Sequence, residues 1–164
     1  TAGLLLIVYF LFAIISMPFW AKKIDFYGPV SIWCFAILIS ITAFIGALFL
    51  NSKDFFYFLI ICSITGFSLG AELLCPPMIL AKKINELGHR GHLESSYFGV
   101  LNLVIKLSLA FASGTVLPLL SFYGYSSVGD SPPNSLIALQ FFYAGLPCFL
   151  KMICVLAIYK YLNK

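Results

Sequence analysis

The chain is 164 residues long, 62% hydrophobic and only 10% charged, with a mean hydropathy of +1.03. Soluble domains are about half apolar and about a quarter charged, so this composition excludes a soluble globular domain and marks an integral membrane protein. The net charge of +4 falls in short segments between apolar runs, which excludes a nucleic-acid-binding patch and fits membrane topology.

A spanning helix needs about 20 mostly apolar residues at roughly 1.5 Å each. Five stretches reach that length, which predicts an all-α membrane protein with spans at 2–20, 30–50, 55–80, 96–120 and 135–159. The first begins TAGLLLIVYF, with no initiator Met, basic n-region or small-residue cleavage site, so it is not a signal peptide. A chain that starts inside a helix is expected to be a piece of something longer. The second span is uncharged throughout. The third contains Glu72 and is interrupted by Pro76-Pro77; the fourth contains Lys106; the fifth contains Pro147 and Lys151. Proline removes a backbone donor, so the Pro76-Pro77 pair and Pro147 are expected to kink or break their helices. The 17 Phe and 9 Tyr suit lipid-facing surfaces and interfacial belts rather than a cofactor site.

Orientation follows from the basic residues, because short cytoplasmic loops are enriched in Lys and Arg. Lys22, Lys23, Lys82, Lys83, Arg90, Lys160 and Lys164 fall on one side; only Lys53, in the turn Asn51-Ser52-Lys53-Asp54, falls on the other. The loop 121–134 has Asp130 and no basic residue. The segments 21–29 and 81–95 and the C-terminus are therefore expected to be cytoplasmic, and the protein to be a multi-pass membrane protein.

An ionisable residue at mid-bilayer depth costs roughly 2.5–3.5 kcal/mol on insertion scales and is by default a candidate for function. On a helical wheel Thr65, Ser68, Glu72 and Cys75 share one narrow sector, whereas Gly66 and Gly70 form a GxxxG step on another, where a neighbouring helix can approach. The first sector reads either as a cavity wall or as Thr65 and Ser68 bonding back to their own helix around a protonated, packed Glu72. In the fourth span Gly99, Asn102, Lys106, Ala110 and Ser113 fall on one side and Leu, Val and Phe on the other. Lys106 can meet a carboxylate or a substrate hydroxyl there, or form a structural ion pair, with Glu72 as one conceivable partner. Lys151, roughly two turns from the end of the last span, reads as a structural lysine snorkelling to the surface.

The five cysteines lie in or beside apolar runs without metal spacing and read as reduced, packed thiols. His89 and His92 read as solvated loop residues, and no carboxylate or thiol with ligand spacing accompanies them. Nucleophile–base pairs and phosphate-cradling loops are absent, so the chain is not expected to be an enzyme.

The turn KKIDFYGP after MPFW, the Gly-rich helix ending in Pro, the polar loop and ESSYFGVLNLVIKLSLA together resemble the C-terminal half of the glycoside-pentoside-hexuronide:cation symporters, the melibiose permease family of the major facilitator superfamily. The resemblance covers residues 1–164 and assigns the five spans to family helices eight to twelve. Its most specific part is Glu94-Ser95-Ser96-Tyr97-Phe98-Gly99 followed by Lys106-Leu107, similar to the Glu-Gly, aromatic and Lys-Leu pattern of the eleventh helix. It implies that Lys106 is the intramembrane lysine near the sugar and cation sites. It also implies that the turn holding Lys22, Lys23, Asp25 and Gly28, with Arg90 and Glu94, is the cytoplasmic motif that gates the transporter. Ala81-Lys82-Lys83-Ile84-Asn85-Glu86 departs from the two aspartates common after the tenth helix, which implies a divergent branch.

The expectation is a secondary active transporter, a cation-coupled sugar or glycoside symporter working by alternating access, with Glu72, Asn102, Lys106, Ser68 and Thr65 as cavity contacts. No resident cofactor is expected. The coupling ion is H+ or Na+, its site mostly in an N-terminal half, and the further partners are membrane lipid and a small-molecule substrate. The alternatives are a lysophospholipid or other small-solute carrier of the same superfamily, and a truncated, non-transporting membrane subunit whose charges pair with a partner.

Overall fold

A computed structural model of the protein describes residues 2–47, 55–122 and 145–162. Each apolar run carries one helix: α1 (Ala2–Tyr27), α2 (Pro29–Ala47), α3 (Phe55–Glu86), α4 (Glu94–Phe122) and α5 (Leu146–Leu162). The fold is all-α, and α1 to α4 are each long and apolar enough to cross a membrane. The turn at Lys53, residues 123–134 of the expected loop 121–134 with Asp130, the start of the fifth run and Lys164 lie outside the described residues, while 121 and 122 continue α4.

Two helices outrun their apolar segments. The stretch 21–27, expected to be a loop, continues α1 to Tyr27, and 81–86 continues α3 to Glu86. Backbone hydrogen bonding carries a helix past the bilayer edge as long as the residues form helix well, and Ala21, Lys22 and Lys23 do. The chain reverses at Gly28, whose φ of +80° lies in the left-handed region open to glycine, and α2 starts at Pro29, where a missing N–H costs nothing. The break expected at Pro76-Pro77 is also absent, since α3 runs through both. Each proline removes only one hydrogen bond, here those to the carbonyls of Glu72 and Leu73, and packing on both sides holds the remaining turns together. Pro147 falls in the first described turn of α5.

The bundle is built around α3, which packs extensively along α1 and α2; α5 lies against α2. Gly66 and Gly70 are buried at the α1 crossing. A Cβ at Gly66 would collide with the Tyr9 carbonyl, and one at Gly70 would come within 2.8 Å of the Ala13 carbonyl oxygen. Both backbones therefore approach as the GxxxG step predicts. Above this contact, Trp20 and Ile24 of α1, Ile32 and Ala36 of α2 and Ala71 and Cys75 of α3 form the core. Trp20 also donates its indole Nε1–H to the Phe67 carbonyl at 2.8 Å, so its one polar group is satisfied inside the apolar cluster.

Helix α4 stands apart. It touches α3 only over a short stretch, and its candidate span has no buried residue. It is tied at the turn between the two helices, where Gly88 and Gly91 take positive φ and the Gly91 N–H donates to the Glu94 carboxylate at 3.4 Å. His89, expected to be solvated, instead stacks on Tyr97, and its Nδ1 lies 2.9 Å from the phenol oxygen. An aromatic one helical turn into α4 offers both a face and a hydroxyl, which a free loop histidine would lack.

Candidate intramembrane polar site

The Thr65–Ser68–Glu72–Cys75 sector turns inward. Thr65, Ser68 and Cys75 are buried, and each hydroxyl finds a carbonyl. Thr65 bonds back to its own helix at the Ile61 carbonyl, 2.8 Å away, whereas Ser68 reaches across and donates to the Ala36 carbonyl of α2. In lipid an unpaired hydroxyl is costly, so the cross-helix bond ties α3 to α2 beside Ala36, a position whose methyl side chain lets the backbones come close.

Glu72 accepts a hydrogen bond and ion pair from Lys151 of α5, and the same Lys151 Nζ donates to Ser40 Oγ of α2 at 2.9 Å. About a fifth of each charged side chain remains open, at 22% for Lys151 and 21% for Glu72, while Ser40 is buried. The three groups converge from three helices because their depths match. Glu72 lies eight residues before Leu80, Lys151 eight before Tyr159 and Ser40 ten after Val30, which puts them about 12–15 Å from the basic end of the bundle. Lys151 therefore does not simply snorkel to the surface: its ammonium turns to a carboxylate of equal depth. This cluster carries one negative and one positive charge and a hydroxyl, and it can bind or exchange a proton or hold helices together.

The second expected stripe lies elsewhere. Asn102 and Lys106 are exposed on α4, and among the described residues neither has a hydrogen-bond or ion-pair partner. Gly99 has open space around it, and Ser113 bonds back to the Leu109 carbonyl at 3.0 Å. Lys106 thus does not reach Glu72.

At the basic end, Lys22, Lys23 and Asp25 are exposed on the last turns of α1, and Gly28 makes the reversal. Residues 27–31 face Ile79, Lys82, Lys83 and Glu86 of α3 across a shallow groove, so two of the basic segments meet on one surface. Arg90 is exposed in the turn, and Glu94 opens α4, where its charge favours the helix N-terminus. Sequence reasoning brought out Glu72, Ser68 and Thr65 as one face but missed Ser40 and the pairing role of Lys151. The available signal was the equal depth of Glu72 and Lys151 in spans of parallel direction.

Long apolar helices, close glycine-mediated crossings and a few charges within the apolar segments define an integral membrane protein. The chain matches the family model described as MFS/sugar transport protein over residues 1–162, and it belongs to that family. A search of curated proteins finds no match. Membership places it among transport proteins.

Proposed function

We propose that the chain forms part of a secondary active transporter, a cation-coupled symporter of sugars or glycosides, and supplies its C-terminal helices, eight to twelve. The observation that carries this reading is α4: a family member of the sugar-transport type presents Asn102 and Lys106 at mid-depth on a helix whose polar stripe has no partner among the described residues. A lysine so placed would be costly in lipid, and it is accounted for if it faces a water-filled cavity between two halves that rock about a central substrate. In this reading Lys106 and Asn102 hydrogen-bond the substrate or a carboxylate of the opposite half. Glu72, Ser68 and Thr65 of α3 are the further cavity contacts in this reading, with Glu72 able to take a proton when Lys151 releases it. Lys22, Lys23, Asp25, Gly28, Arg90 and Glu94 form the cytoplasmic gating surface, and the C-terminus is cytoplasmic. The coupling ion is H+ or Na+, bound mostly outside this chain.

The test is ion-gradient-driven uptake of a panel of sugars and lysolipids by the full-length protein in vesicles, comparing wild type with Lys106→Ala and Glu72→Gln. Gradient-dependent uptake of one sugar class that collapses in Lys106→Ala is expected. Uptake unchanged in both variants at normal expression would sink the cavity assignment, and uptake of lysolipids alone would move the protein to the lipid-carrying branch.

A further inference from the structure

Between α1 and α2, floored by Phe67 of α3, runs an open groove of about 540 Å³. Its walls are Phe19, Trp20, Ile32, Phe35 and Ile39, and aromatic contacts hold it in shape: the Trp20 and Phe67 rings lie 5.1 Å apart, Phe19 and Phe67 5.4 Å, Trp20 and Phe35 6.4 Å. The indole N–H is already bonded to the Phe67 carbonyl, so nothing in the slot asks for a polar partner.

All the polarity is at one end. There Lys23 Nζ sits 5.7 Å from the Tyr27 ring centre and 5.9 Å from that of Phe19, and the Ser31 hydroxyl stands across the mouth on the first turns of α2. Both helices end at this level, so the mouth opens at the membrane–water boundary. Asp25, two residues on, lies on another side of α1, and among the described residues Lys23 meets the Phe19 and Tyr27 rings and no carboxylate. From Ser31 to Ile39 the slot extends about 12 Å into the bilayer. A dry aromatic slot of that length, with a cation and a hydroxyl donor at its mouth, is complementary to an amphiphile with one anionic head. A packing helix, about 10–12 Å across, would cover the ammonium without offering it an anion.

The geometry points to a binding site for an anionic phospholipid, one acyl chain in the α1–α2 groove and the phosphate at Lys23 and Ser31. The site is independent of the transport reading, since it needs only the membrane setting and the two helix ends. The test uses the full-length protein in phosphatidylcholine vesicles that contain a minor fraction of phosphatidylglycerol carrying a photoactivatable group on its acyl chain. Labelled peptides are mapped by mass spectrometry.

Labelling concentrated on the peptides of Trp20 and Phe35 is expected, falling about fivefold in Lys23→Gln, as the loss of one lysine–headgroup attraction predicts, and also in Ser31→Trp, which fills the mouth without touching the charge. Lys22→Gln, one residue off the groove, is expected to label as wild type. The proposal is overturned by labelling spread evenly over all the helices, by equal labelling with photoactivatable phosphatidylcholine, or by no change in either groove variant. Competition by glycerol phosphate would mean that a free anion suffices, and a crosslinker at position 31 that captures a protein segment would mean that a helix covers the groove; either result also overturns it.

Discussion

Lys151 and Glu72 each bring a charge about 12 Å below the basic end of the bundle, and each makes the other tolerable. Removing one partner of a fully buried pair costs roughly 3–5 kcal/mol because it strands the other charge. Here about a fifth of each side chain is open, so Lys151→Met is expected to cost less, about 2–3 kcal/mol. Glu72→Gln alone is expected to be milder, since its amide still accepts from the ammonium. The double variant Glu72→Gln/Lys151→Met is expected to recover much of the loss. Thermal unfolding of the purified protein in detergent, arranged as a double-mutant cycle, gives the coupling. Additive losses would mean that the pair is not formed. The same residues also separate two roles: a purely structural pair is rescued by the uncharged double variant in both stability and uptake, whereas a proton-exchanging Glu72 is rescued in stability only.

Glycines that look alike along the chain differ by element. In α3, Gly66 and Gly70 sit against the backbone of α1, and a methyl at either site meets a carbonyl oxygen that cannot move without shifting the helix. Gly66→Ala and Gly70→Ala are expected to destabilise by about 1–3 kcal/mol, the usual range for overpacking. Gly114 of α4 has open space around it, so Gly114→Ala is expected to stabilise its helix by up to about 1 kcal/mol through intrinsic propensity. Melting temperatures of the three variants check both signs at once; a uniform response would mean that α1 does not pack on α3 at these positions.

For the molecule as a whole, four of the described lysines gather on one surface. The turn at Gly28 meets the end of α3, with Lys22, Lys23, Lys82 and Lys83 all at that level. Retention of positive charge on the cytoplasmic side then predicts that a green fluorescent protein fused after Lys164 fluoresces in cells, and that an alkaline phosphatase fused there is inactive. The reverse pattern would invert the topology and exchange the two sides proposed for the gating surface. The orientation in turn decides which leaflet supplies the lipid at Lys23.

Composition and run length alone determined that this is an all-α membrane protein, with one helix on each apolar run among the described residues, because dehydrated backbone in lipid can satisfy itself only within each helix. Periodicity also made the Gly66–Gly70 contact face and the inward sector of Thr65, Ser68 and Glu72 legible, since both follow from the 3.6-residue turn. Depth was legible as well, from the rise per residue, and on depth Lys106 and Lys151 are equally suited to Glu72. Lateral position decides between them, and a linear sequence does not carry it: only the packing of α5 against α2 and of α2 against α3 brings Lys151 to Glu72 and Ser40. Lys106, on a helix that touches α3 only over a short stretch, has no partner among the described residues.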